Sequence, residues 1–135
     1  MYLVDSCTII SAFRPKESSF QESRDLLFGL PQFFITDYVL AEVVTILKFK
    51  VGLAAAQKAL ELLLYNKAVD LLKLTTEELA DTVDLFSLHK KLSFVDASLI
   101  VMAKSRGLAL ISQDNALSKA FKHGGRPLGS AKSAA

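Results

Sequence analysis

Four short, mainly apolar runs of strand type are spread along the chain: "YLV" (Tyr2 to Val4), "FFI" (Phe33 to Ile35), "VDLLKL" (Val69 to Leu74) and "LALIS" (Leu108 to Ser112). They lie too far apart in sequence to pair as tight hairpins, and they do not alternate apolar with polar residues as a half-solvated strand does. Helical patterns fill the gaps, at Ser6 to Ala12, Ser18 to Phe28, Asp37 to Lys50, Leu53 to Tyr65, Thr76 to His89, Ser93 to Arg106 and Asn115 to Phe121. Gly29 and Pro31 end one helix, Gly52 separates two others, and Gly107 stands where a C-terminal cap belongs. Buried strands alternating with helices predict an α/β fold, a mainly parallel sheet covered by helices on both faces.

A chain of 135 residues with 51% apolar content suits one domain with a real core. We place that domain at residues 1–123 and read residues 124–135, "GGRPLGSAKSAA", as a flexible tail. The formal charge of +2 excludes a strongly basic nucleic-acid binder but permits an RNA partner. Cys7 is the only cysteine, which rules out an intramolecular disulfide or a cysteine-rich zinc site and fits a cytoplasmic protein. Met1 leads straight into a strand-type run, so no signal peptide is expected, and the longest apolar stretch, Phe33 to Leu47, is broken by Asp37 and Glu42.

The informative residues are acids in apolar surroundings. Asp96 sits in "LSFVDASLIVMAK", a segment whose composition requires burial, and a bare carboxylate in a protein interior costs several kcal/mol. Asp5 follows the first strand and Asp114 follows the last, and parallel sheets bind ligands beyond the carboxyl ends of their strands. Each has a simpler role open to it. Asp5, Asp37 and Asp114 stand where helix N-caps belong, and Ser93 to Asp96 has the spacing of a capping box, as does Thr75 to Glu78. Glu42 resists such a reading, because on the helix Asp37 to Lys50 it falls between Ile46 and Phe49, on the apolar arc.

Taken together, Asp5, Glu42, Asp96 and Asp114 can converge on one pocket. Carboxylates that close repel by about 3–4 kcal/mol per pair at an effective dielectric near 20, so a cation must join them or some must protonate. With all-oxygen ligands and only His89 and His123 in the chain, Mg²⁺ or Mn²⁺ is the ion expected. Such a centre activates water and steadies the oxygens of a phosphodiester under attack.

These segments resemble a known family. "YLVDSCTIISAF" looks like the opening of a PIN-domain nuclease, "VLAEVVTIL" is similar to its second motif, and "SFVDASLIVMAKSRGLALISQD" resembles the third and fourth. Order and spacing match over about residues 1 to 122, and by size the chain is most similar to VapC-type toxins of toxin–antitoxin systems. The resemblance implies a PIN-like α/β/α sandwich, an Mg²⁺- or Mn²⁺-dependent endoribonuclease, a homodimer and a cognate antitoxin. It makes Asp5, Glu42, Asp96 and Asp114 the catalytic and metal-binding acids, with Ser6 and Ser112 as polar groups beside them. Cys7 departs from the family's usual Ser or Asn and is expected to be a small buried residue.

An acidic site that binds RNA needs cations nearby; the candidates are the basic pairs Arg14 and Lys16, Lys48 and Lys50, Lys90 and Lys91, Lys104 and Arg106, and Lys119 and Lys122, of which Arg14 and Lys16 are expected to touch phosphate. No aromatic series interleaves with the basic pairs, so base stacking is not expected. The helix Leu53 to Tyr65 is read as core-packing, with part of it available to a dimer or antitoxin. Two alternatives stand beside this reading: a catalytically inactive PIN-like module that keeps the fold and binds RNA or protein, and a receiver-type α/β phosphoacceptor domain. Retention of all four acids counts against the first, and the lone Asp5 after the first strand against the second.

Overall fold

The computed structural model describes residues 1–113 together with Leu117, Ala120 and Phe121. The chain runs β1 (Tyr2–Val4), α1 (Ser6–Ala12), α2 (Phe20–Gly29), β2 (Phe33–Thr36), α3 (Asp37–Lys50), α4 (Leu53–Tyr65), β3 (Val69–Leu72), α5 (Thr76–Leu88), α6 (Phe94–Arg106) and β4 (Ala109–Ile111). The helix expected at Asn115 to Phe121, the acid Asp114 and the tail 124–135 fall wholly or largely outside the described residues.

The sheet has the order β3-β2-β1-β4 and every pairing is parallel. All four strands therefore end at one rim. From β1 the chain steps twice in one direction, to β2 and then β3, before crossing back to lay β4 on the other side of β1. Right-handed crossovers then place α1 to α4 on one face and α5 and α6 on the other, giving an α/β/α sandwich. The helix contacts agree, since α1, α2, α3 and α4 pack among themselves and α5 packs on α6. Strand order reverses at β1, and such a reversal opens a crevice at the carboxyl rim.

Burial follows the apolar pattern. Leu3 and Val4 of β1 and Ile35 of β2 are fully enclosed, and so are Ile9 of α1 and Val39, Val43 and Leu47 of α3. Across the sheet, α6 is buried continuously from Ala97 to Ala103. It ends at Gly107, whose φ of 65° is left-handed and whose amide bonds back to the Ala103 carbonyl.

Thr75 and Glu78 form the complete capping box that their spacing suggests. Glu78 does more than cap. Its carboxylate accepts from both Nε and Nη2 of Arg106, at 2.9 and 2.7 Å, and from the Ser105 hydroxyl at 2.6 Å. The Arg106 guanidinium holds the Glu78 carboxyl down at about 2, against the cost of its burial. This cluster fastens α5 to the end of α6.

Four expectations are corrected. Thr36, not Asp37, caps α3, its hydroxyl accepting from the Val39 amide at 3.1 Å, so Asp37 is the first helical residue. Cys7 is exposed, because α1 packs on nearly all sides and Cys7 is its one residue outside the buried set. Phe49 is 79% exposed rather than part of the apolar arc, since the buried stripe of α3 stops at Leu47. On α4 only Ala56, Ala59 and Leu63 are buried, while Leu53 and Leu64 face outward.

Candidate active site at the carboxyl rim

Asp5 is the first residue beyond β1 and is 1% exposed. Its backbone is extended while the next residue is helical, so it caps α1, with Oδ1 accepting from the Thr8 amide at 2.9 Å. Oδ2 accepts from the Ser112 hydroxyl at 2.5 Å. Ser112 follows β4, the strand in register beside β1, and the Asp5 amide donates to the Ile111 carbonyl at 3.1 Å. The capping role and the rim position are thus both true of Asp5.

Glu42 reaches the same rim from α3. Val39 and Val43 turn one stripe of that helix into the core, which leaves Glu42 half-buried at its margin. The Ser6 hydroxyl donates to Glu42 Oε1 at 2.5 Å, directly beside Asp5 in sequence. Two hydroxyls, Ser6 and Ser112, therefore link Glu42, Asp5 and the end of β4 into one assembly. Donation to a carboxylate oxygen fixes its rotamer.

Asp96 lies in the first turn of α6 and is half-buried, less enclosed than its apolar neighbours suggest. The Ser93 hydroxyl accepts from the Asp96 amide at 3.0 Å, the forward half of the expected capping box. The preceding residues, Phe94 and Val95, line an open groove of about 690 Å³ together with Tyr38, Glu42 and Ile46. The start of α6 thus stands across a shared groove from Glu42.

Among the described residues, no three carboxylate, imidazole or thiol groups lie close enough to form a metal cluster; Asp114 is outside that set. The donor chemistry fits a hard divalent cation: carboxylate oxygens, oriented by hydroxyls and an amide, with His89 away at the end of α5. Arg14 and Lys16 follow α1, a seven-residue helix that leads about 10 Å away from the rim, and Arg14 Nη1 lies 3.9 Å from Glu17 Oε2.

Tyr38 and Phe94 are the site residues that the sequence reading passed over. Their rings are 6.1 Å apart beside Glu42, and Phe86 stands edge-on to Phe94 at 5.6 Å. Tyr38 is one helical turn before Glu42, a spacing that puts both on one face and was available as a signal. A second groove, about 540 Å³, lies between α2 and α4 and is lined by Phe13, Phe20, Arg24, Phe28 and Tyr65. Arg24 sits between two of those rings, 5.4 Å from Phe20 and 4.8 Å from Phe28.

The family model described as PIN domain matches residues 2–122. Among solved structures, VapC20 of Mycobacterium tuberculosis, described as a toxin cleaving the sarcin–ricin loop, superposes with a TM-score of 0.81 at 19% identity. That match covers 89% of this chain and 95% of VapC20. FitAcB from Neisseria gonorrhoeae matches at 0.66 and 16% identity, over 90% of this chain and 94% of that one. VapBC2 from Rickettsia felis, solved with a DNA fragment from its promoter, matches at 0.64 and 13% identity, over 87% and 91% of the two chains. Comparison with curated protein sequences gives no match.

Proposed function

Since the chain belongs to the PIN domain family, we propose that it is an Mg²⁺- or Mn²⁺-dependent endoribonuclease and the toxin of a toxin–antitoxin pair, acting in the cytoplasm. The observation that carries this reading is the rim assembly: Asp5 and Glu42, 37 residues apart, are oriented by Ser112 and Ser6 at the point where strand order reverses. No helix of the described residues is long and apolar enough to cross a membrane.

Asp5, Glu42, Asp96 and Asp114 would hold the ion. When bound, the divalent ion supplies Lewis acidity and offsets the negative charge that a phosphodiester gains under attack. The protein's own part is positioning. Asp5 is locked by the Thr8 amide and the Ser112 hydroxyl, so its carboxylate enters the reaction without reorganising. Glu42, anchored at one oxygen by Ser6, orients or deprotonates the attacking water through the other. Asp96 would join them from the first turn of α6, directly after Phe94 and Val95 of the groove. Arg14 and Lys16 would meet RNA phosphates at the far end of α1.

The family neighbours support the partners. Toxin–antitoxin assemblies recur among them, one described only as a complex from Klebsiella pneumoniae. The aromatic groove between α2 and α4 suits an amphipathic antitoxin segment, with Arg24 and Lys58 as counter-charges for its acids. A homodimer would use α5, where Leu79, Val83 and Phe86 form an exposed stripe at helical spacing.

The test incubates purified protein with structured and unstructured RNAs in Mg²⁺, Mn²⁺ or chelator, beside Asp5→Asn and Asp96→Asn. Cleavage should need the metal and fall by about a hundredfold or more in each variant. Cleavage that persists in chelator, or that survives both substitutions, overturns the mechanism.

A further inference from the structure

The C-terminal half of α3 carries a feature that the carboxylate site does not use. Glu42, Thr45, Ile46 and Phe49 are spaced i, i+3, i+4 and i+7, so they share one face of the helix. At about 1.5 Å per residue, Phe49 lies about 10 Å beyond Glu42 along the axis. Phe49 is 79% exposed, with the Lys48 ammonium 5.7 Å from the centre of its ring. Lys50 follows it, also exposed. From residue 43 to residue 60 the chain contains Lys48, Lys50 and Lys58 and no carboxylate.

We infer that this face of α3 is the track for a single RNA strand leaving the carboxylate site: against the expectation of no base stacking, the exposed Phe49 stacks its ring on a base, and Lys48 and Lys50 on either side of it meet phosphates. The inference rests on the endoribonuclease reading above and adds a substrate subsite to it. The track begins in the groove where Tyr38 and Phe94 flank Glu42 and continues past Thr45 to the helix tip. Single-stranded nucleic acid is held by aromatic faces for its bases and by cations for its backbone, and the tip offers both within three consecutive residues. A second copy of the chain suits the tip less well. Exposed Val51 and Leu53 would favour apolar contact, but Lys48 and Lys50 flank the ring, and covering their ammonium groups with apolar surface costs hydration that a phosphate backbone offsets.

The test measures affinity for a fluorescein-labelled single-stranded RNA of mixed sequence in chelator, and cleavage of the same RNA in Mn²⁺, using the full chain. Phe49→Ala should weaken binding about tenfold and Phe49→Trp should restore it. Lys48→Ala with Lys50→Ala should make the slope of log affinity against log salt shallower by about 1.4, the value for two phosphate contacts on a single strand. Sedimentation of each variant reports its oligomeric state. Wild-type affinity and salt slope in both variants overturn the inference, as does a change in oligomeric state with RNA affinity intact. Failure of the wild type to cleave any RNA sinks the endoribonuclease reading instead, and failure to bind any sinks both.

Discussion

Helices α3 and α6 both leave the carboxyl rim with an acid near their start, Glu42 and Asp96, yet they are embedded in opposite ways. In α6 seven consecutive residues, Ala97 to Ala103, are buried, whereas α3 buries only Val39, Val43 and Leu47, one residue per turn. The position of Asp96 is therefore set by the core itself, and from Ala97 to Ala103 its helix has no open face to offer a ligand. Glu42 stands on a helix with an open side, and the Ser6 hydroxyl takes the place of enclosing side chains in fixing it. One helix is scaffold and the other is a displayed surface, although both deliver the same chemical group.

The contrast breaks most visibly in stability. Leu99→Ala on α6 should cost about 2–5 kcal/mol in denaturant unfolding, because the vacated volume is closed on all sides. Phe49→Ala on α3 should change stability by less than about 0.5 kcal/mol. Similar losses for both substitutions would show that α3 is also core.

A second, smaller effect concerns how α6 is tied down. Glu78 has a pKa of about 2 when folded and an ordinary value of 4.5 when unfolded, a difference worth about 3 kcal/mol. Because the folded value is the lower one, that stability is present above pH 4.5 and is lost as pH falls toward 2. Glu78→Gln should be clearly less stable than wild type at pH 7, with the two curves converging in acid. A gap that stays constant with pH would mean that the Arg106 pair contributes nothing.

The smallest effect sharpens the α3 side. Ser6→Ala removes the hydroxyl that orients Glu42 and should lower the cleavage rate roughly tenfold, leaving the unfolding midpoint nearly unchanged. The same substitution should not alter single-strand RNA affinity in chelator, since the proposed α3 track lies beyond it. Lost affinity would merge the carboxylate site and the track into one unit.

Much of this could be read from the residues. The bounds of α1, α3 and α4 and of β1 follow from apolar spacing and from Gly52, whose φ of 146° suits only glycine. Asp5 was legible because a residue after a buried parallel strand has few places to go. Phe49 was misplaced for a physical reason: periodicity assigns a residue to a face of its helix, but not how far along the axis neighbouring elements cover that face. Cys7 failed likewise, since α1 is buried almost all round and no pattern marks its single open position. Asp96 was read as more enclosed than it is, because helix composition says little about the first turn, where the chain is still arriving from the surface.

The hydrogen bond from Ser112 to Asp5 joins residues 107 positions apart. Translation makes Asp5 long before Ser112, and β4 is the last strand in chain order among the described residues. A chain ending before β4 would lack the Ser112 hydroxyl that donates to Asp5 Oδ2. The candidate site is thus completed across nearly the whole length of the described chain, by a residue that follows its last strand.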